Sequence, residues 1–199
     1  MDLNALFAFY RKEFLPSYSD LVGYIADKPQ QILYELEHVF SHISQTYNPD
    51  VSPDMKDDNI EKAYGHLQRA TLDGYKLLWV KIYGELRDIE EDEALRKLGL
   101  KISGSVFLIR VQELKKLAQE ARKTEMMSMG IDPIASINLY KSVVTGGYEL
   151  LGIIDGTKAK EVEEYVKSLK RSISTREFII GIVISLSTGL ISGYLLSFI

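Results

Sequence analysis

Residues 178–199 form a run of 22 residues that contains neither a charged side chain nor a proline. Fourteen of them are apolar, three are glycine and five are serine or threonine. As a helix, the run would measure about 33 Å at about 1.5 Å per residue, close to the hydrocarbon thickness of a bilayer, about 30 Å. A buried helix of a water-soluble domain rarely lacks charge on every face over this length. We therefore predict a single transmembrane helix over 177–199.

The segment before this run is basic. It contains Lys167, Lys170, Arg171 and Arg176, and no acidic residue lies between 165 and 176. Basic residues beside a span favour the cytoplasmic side of a membrane and bind anionic lipid headgroups. We therefore interpret these four as membrane-surface residues.

The start of the chain, MDLNALFAFYRKEF, lacks the basic segment, apolar run and small-residue cleavage site of a secretory signal. Nothing follows Ile199 in the sequence, so the span would leave the ribosome only when synthesis ends. These two features predict a single-pass tail anchor that inserts after synthesis, with the N-terminal body in the cytoplasm.

Small residues recur at every fourth position of the predicted span. In lipid, helices associate through close backbone approach across small residues and through hydroxyl hydrogen bonds. A passive anchor is the alternative, because glycine is frequent in many membrane helices. The length of the row favours self-association and predicts a homo-oligomer. The predicted oligomerisation residues are Gly181, Ser185, Gly189, Gly193 and Ser197.

The body over residues 1–176 shows the apolar spacing of helices and little of the alternation that is typical of strands. Pro16 is expected to end the first helix, and Gly146 and Gly147 to interrupt or loosen a later one. We predict an all-α fold, a cytoplasmic helical bundle followed by one C-terminal transmembrane helix. The predicted helices of the body cover about 3–15, 19–26, 29–47, 59–98 and 105–129, a segment from 133 onward, and about 157–172.

Two of these helices carry apolar stripes and flank a loop at 48–58 that contains two prolines and four aspartates. We predict that they form an antiparallel hairpin within an N-terminal helical bundle at 1–98. Residues 99–176 are predicted to form a helical stalk or a second bundle, and 177–199 the anchor. The first stripe consists of Ile32, Leu33, Leu36, Val39, Phe40, Ile43 and Tyr47, and the second of Ile60, Tyr64, Leu67, Thr71, Leu78, Ile82 and Ile89.

All three histidines of the chain lie in this hairpin, where each helix carries a polar triplet at spacing i, i+3 and i+7. Imidazole and carboxylate groups are suitable zinc or iron ligands, so a metal site is one alternative. A helical wheel places both triplets away from the stripes, whereas metal sites in bundles use inward-projecting residues. We therefore predict no metal here, and expect Arg69 to pair with Asp73. The alternative ligand set is Glu35, His38, His42, His66 and Asp73.

Composition narrows the function classes. The formal net charge of −4 disfavours nucleic acid as a partner, and the absence of cysteine excludes a thiol nucleophile or cysteine-ligated zinc. The sequence contains no phosphate loop, dinucleotide-binding turn or nucleophile elbow. No motif therefore supports an enzyme or a cofactor.

The sequence thus predicts a membrane-anchored, non-enzymatic helical protein whose cytoplasmic body binds an unidentified protein or small molecule and whose span self-associates. A narrower version is a membrane-disrupting effector of bacterial defence, in which clustered spans that bear hydroxyl groups make the bilayer leaky. The alternatives are a membrane-tethered metalloenzyme that uses the ligand set above, and a plain scaffold that localises a soluble partner.

Overall fold

The computed structural model describes residues 2–128 and 133–196, with side chains as far as Ile180 apart from Ile173. This part of the chain is an all-α helical bundle, as predicted. In order along the chain, its elements are α1 (Leu3–Phe9), a π-helical turn (Tyr10–Phe14), α2 (Leu15–Ile25), α3 (Gln30–Thr46), α4 (Pro53–Glu91), α5 (Glu93–Leu98), α6 (Gly104–Met127), α7 (Ile134–Leu151) and α8 (Gly156–Leu196).

Side-chain caps explain where several helices begin. The hydroxyl of Ser52 accepts a hydrogen bond from the backbone N–H of Met55, and Pro53 occupies the first turn, where its missing N–H costs nothing. The predicted start of this helix at about residue 59 is therefore wrong, and the loop between α3 and α4 is shorter than predicted.

The expected break at Pro16 is also wrong, because the chain stays helical from α1 through α2. The backbone N–H of Leu15 donates to the carbonyl of Tyr10, five residues earlier, instead of to the usual fourth residue. Proline clashes with the preceding turn of an α-helix and cannot donate a hydrogen bond. The wider π-helical turn accommodates Pro16, so the first two helices continue into each other.

The helix α4 is the centre of the bundle and packs against α2, α3, α7 and the π-helical turn. Its predicted stripe is buried, except that Tyr64 is half-buried. One hydrophobic core joins residues such as Leu67 and Leu78 of α4 to Phe107 of α6 and Val143 of α7. This core runs across the predicted boundary between 1–98 and 99–176; the division into two units stays a prediction.

The stripe predicted on α3 is only partly buried. Ile32 and Val39 are buried against the bundle, but the Phe40 and Tyr47 side chains are 71% and 72% exposed. Leu33 is exposed as well. The interpretation of all seven residues as packing residues is therefore wrong for these three, because α4 covers only one side of α3.

The glycines of α7 do not interrupt it, contrary to expectation, since α7 runs unbroken from Ile134 to Leu151. A methyl group at position 146 would lie 2.6 Å from Leu114 Cδ2, and one at position 147 would lie 2.6 Å from Ile82 Cγ2. These glycines therefore allow α6 and α4 to approach α7 closely.

A short backbone clasp holds the start of α8. Lys101 N donates to Ile153 O at 3.0 Å, and Asp155 N donates to Gly99 O at 2.9 Å. These bonds flank an antiparallel bridge between Leu100 and Ile154. From this clasp, α8 packs against α5 and then continues as one helix of 41 residues.

Among the described residues, no helix is long and apolar enough to cross a membrane. The side chains of 181–199, which make up most of the predicted span, lie outside the described part of the chain.

Two glycine-to-alanine substitutions, one at a crowded position and one at an open position, give a matched test of stability. Gly147→Ala should lower the free energy of unfolding by about 1–3 kcal/mol, because the new methyl meets the fully buried Ile82. Gly84→Ala in α4 should raise it by up to about 1 kcal/mol, because the space around Gly84 is open and alanine favours the helix. Urea unfolding followed by fluorescence of Trp79, the single tryptophan, measures both. Equal effects of the two substitutions would contradict the close approach of α4 and α7.

Candidate functional site

The three histidines of the chain meet at one edge of the α3–α4 hairpin. The ring centroids of His38 and His66 lie 4.8 Å apart, and those of His42 and His66 lie 5.3 Å apart in a stacked arrangement. The two helices run antiparallel, so positions two turns apart on α3 face positions two turns apart on α4 in the reverse order. This register brings Glu35 to His66 and His42 to Asn59.

One carboxylate and one guanidinium converge on the His66 ring. Nδ1 of His66 lies 2.7 Å from Glu35 Oε2 and 2.8 Å from Arg69 Nη2. Arg69 Nε also donates to Glu35 Oε2 at 3.4 Å. The His66 side chain is only 18% exposed, whereas that of Arg69 is 54% exposed. Arg69 can therefore leave the cluster more easily than His66.

The neighbouring His42 is held by a separate chain of contacts. Its Nδ1 lies 2.8 Å from Asn59 Oδ1, and Asn59 Nδ2 donates to the backbone carbonyl of Met55 at 2.7 Å. Because the Asn59 amide nitrogen already donates to Met55, its oxygen accepts the hydrogen bond from His42 Nδ1. His42 is thus fixed with its ring stacked on His66.

The surroundings of His66 favour its neutral form. Burial lowers the pKa of His66 below its ordinary value, and the positive charge of Arg69 and the proximity of His38 lower it further, against the opposing hydrogen bond with Glu35. In the unfolded chain His66 binds a proton more readily than in the folded one. The contribution of His66 to stability is therefore present above about pH 6.5 and is lost as the pH falls through the lower pKa of the folded state.

The two polar triplets are Glu35, His38 and His42 on α3, and His66, Arg69 and Asp73 on α4. The prediction that both point away from the partner helix is wrong for every member except Asp73. Glu35, His38 and His66 lie on the flanks of the two apolar stripes, and the flanks of α3 and α4 meet at one edge of the hairpin. A helical wheel measures the angle of a residue from its own stripe and does not show which flanks of two helices face each other.

The remaining predicted ligand, Asp73, lies in a different cluster. Its Oδ1 accepts from Lys76 Nζ at 3.0 Å, and the same ammonium group donates to Glu125 Oε1 of α6 at 3.0 Å. The expected ion pair between Arg69 and Asp73 is wrong, since these residues pair with Glu35 and Lys76 respectively. Asp73 therefore contributes to the contact between α4 and α6, away from the histidines.

Three residues of the histidine cluster have suitable geometry for a metal ion. Glu35, His38 and His66 each offer one ligand atom, and these atoms lie within 4.8 Å of one another. His38 is exposed and the other two are half-buried, so an ion could reach them from solvent.

Sequence reasoning missed an exposed apolar surface on α3. This α3 surface consists of Leu33, Tyr34, Phe40 and Tyr47, all exposed. Beside Tyr34 lies an open groove of about 570 Å³, whose lining includes Ile25, Pro29, Leu77 and Lys81. The heptad spacing of Leu33, Phe40 and Tyr47 was the available signal, because it places three large apolar side chains in one row.

The predicted membrane-surface residues lie on the outside of α8. Lys167, Lys170, Arg171 and Arg176 are all exposed, and Lys167 pairs with Glu163 at 2.6 Å. Four of the predicted oligomerisation residues belong to the described backbone of α8, but their packing is not described. The fifth, Ser197, lies outside the described residues. Those four are Gly181, Ser185, Gly189 and Gly193.

Comparison with protein-family models, with curated proteins and with solved structures finds no match to this chain. The geometry of these sites therefore carries the functional argument by itself.

The contacts of His66 predict how its pKa responds to Arg69. Arg69→Gln should raise the pKa of His66, because the substitution removes a positive charge that disfavours the imidazolium form. NMR titration of the imidazole C–H resonances measures this pKa directly. Lys97→Gln is a matched control, since it removes one positive charge that pairs with Glu93 on α5. An equal shift in both variants would show that net charge alone, and not the contact with Arg69, acts on His66.

Proposed function

We propose that the chain is a membrane-anchored, non-enzymatic helical protein in which α8 holds the bundle at the cytosolic face of a bilayer. The single observation that supports the proposal is the course of α8. After its contact with α5, it continues as an unbroken helix with apolar side chains exposed to the surroundings, including Phe178 at 69% exposure and its neighbours Ile179 and Ile180. Lipid would cover these side chains, which the described part of the bundle leaves exposed.

The basic residues of α8 support the same orientation. Lys170, Arg171 and Arg176 are exposed immediately before the apolar segment, where they would meet the headgroups of an anionic cytoplasmic leaflet. Leu169 and Tyr165 are exposed about two and a half and three and a half turns before Phe178, which suits a helix that leaves the bundle before it reaches the membrane.

The α3 surface supports a binding role for the bundle. Exposed aromatic residues such as Tyr34 and Phe40 are typical anchors of protein interfaces, and both lie on α3, whose other side packs against α4. We propose that an unidentified protein or small molecule binds this surface, and that its binding gathers several copies of the chain. The helix α8 would then self-associate in the bilayer.

Removal of the apolar segment tests the anchor. The full chain should sediment with membranes and resist extraction at high salt and alkaline pH, whereas a chain that ends after Arg176 should be released. The truncated chain keeps the basic residues, so the comparison separates lipid insertion from charge attraction alone. Membrane retention of the truncated chain after alkaline extraction would contradict the proposal.

The same pair of chains tests the narrower version, a membrane-disrupting effector. Cells that express the full chain should lose membrane potential, and cells that express the truncated chain to the same level should keep it. Equal membrane potential in both strains would contradict the effector proposal and would be consistent with an anchor alone.

Self-association of α8 has its own test. Replacement of Gly189 and Gly193 with leucine should lower crosslinked oligomer in membranes severalfold, because bulky side chains prevent close backbone approach. Replacement of Ile182 and Ile191 with leucine is a control that keeps the glycines and changes similar numbers of side chains. Unchanged oligomer in the glycine variant would contradict association through the row of small residues.

A further inference from the structure

We propose that Glu35, His38 and His66 bind one divalent transition-metal ion, with zinc favoured by the ligand set. The inference concerns the bundle alone and stands apart from the role of α8 in the membrane.

The ligand distances are close to those of a bound ion. A tetrahedral zinc ion with bonds of about 2.0–2.1 Å keeps its ligand atoms about 3.4 Å apart. The Glu35 Oε2 to His66 Nδ1 distance of 2.7 Å must widen slightly, and the longest separation in the set, at most 4.8 Å, must shorten. The first adjustment is about 0.7 Å and the second is at most about 1.4 Å. The exposed His38 side chain is free to supply most of the movement.

The hairpin already holds two of the ligand atoms beside each other. Glu35 Oε2 of α3 lies 2.7 Å from His66 Nδ1 of α4 and also accepts a hydrogen bond from Arg69 Nε. The two atoms are therefore close together before an ion arrives.

Arg69 competes for the same atoms. Its guanidinium approaches both Glu35 Oε2 and His66 Nδ1, the groups that a metal ion would take. The 54% exposure of Arg69 allows it to swing into solvent when an ion binds. The ion would then replace the guanidinium as the positive partner of Glu35.

His42 acts as a positioning residue in this arrangement. Its Nδ1 is engaged with Asn59, and its ring stacks on His66 and limits the rotation of that ligand. The protein thus supplies three ligands, and water completes the tetrahedron. Because Glu35 and His38 belong to α3 and His66 to α4, the ion would also tie the two helices together.

Cobalt and zinc titrations of the full chain in mild detergent test the site. One equivalent of cobalt should give the visible absorption of a tetrahedral complex, and zinc should displace it. His38→Ala should weaken zinc binding at least about tenfold, as measured by competition with a chromophoric chelator. Because His38 is exposed, its removal should leave the fold intact, which circular dichroism checks. Glu35→Gln should weaken binding to a similar degree.

Two further variants distinguish a metal site from a packed histidine cluster. Arg69→Gln should tighten zinc binding at least about threefold, because it removes the competing cation. His42→Phe keeps a stacked ring without a ligand atom and should change the affinity by less than about threefold. At the same zinc concentration, zinc should raise the melting temperature of the natural chain more than that of His38→Ala.

Absence of stoichiometric cobalt or zinc binding by the natural chain would overturn the proposal. So would equal loss of affinity in His42→Phe and His38→Ala, since it would place the ion elsewhere in the cluster. Weak binding of several ions that no single variant removes would show adventitious surface binding. None of these outcomes depends on membrane insertion, so failure here leaves the proposed anchor intact.

Discussion

Burial of α4 on more than one side determines where the other helices of the bundle lie. An amphipathic surface helix needs one neighbour to cover its apolar stripe, but the buried residues of α4 include both Leu67 and Leu72, which lie on different faces. The helices α2 and α3 cover one part of this surface and α7 covers another. A small residue permits the close contact with α7, since a methyl group at Gly147 would lie 2.6 Å from Ile82 Cγ2 of α4. Because α7 completes the cover of α4, residues beyond 98 belong to the same core as those before it.

The sequence predicted the fold class, the hairpin and most of the helices, because apolar spacing and proline or glycine positions report on local structure. It failed where a second element decides the outcome. From the sequence alone, Gly147 predicts a break in the helix, but in the structure it allows Ile82 of α4 to approach α7 closely. Pro16 predicts the end of a helix, but the wider π-helical turn at Tyr10–Phe14 accommodates the proline within a continuous helical segment. The apolar stripe predicted on α3 was too broad, because the spacing of apolar residues does not show how much of a helix its neighbour will cover.

The histidine cluster illustrates the same limit. Residue types and spacing identified Glu35, His38 and His66 as possible ligands, but their meeting depends on the register of α3 against α4, which the connection between Thr46 and Pro53 sets. The ion pairs depend on the same register. Arg69 pairs with Glu35 across the hairpin, and Asp73 pairs with Lys76, which lies one turn further along α4. An ion pair between neighbouring turns is a weak interaction on an exposed helix, so contacts across the hairpin easily replace it.

In the described part of the chain, the helix α8 packs against the bundle near one end only. Its described contacts with the bundle lie near its start, at the clasp of Gly99 and Leu100 with the 153–155 segment and at the half-buried Ala159 and the buried Val162. From Glu163 to Arg176, about 21 Å of helix at 1.5 Å per residue, the described side chains are mostly exposed. If the apolar segment enters a bilayer, this exposed stretch separates the bundle from the headgroups. The α3 surface and the histidine edge then remain open to solvent, and the orientation of the bundle depends on the described contacts at the start of α8.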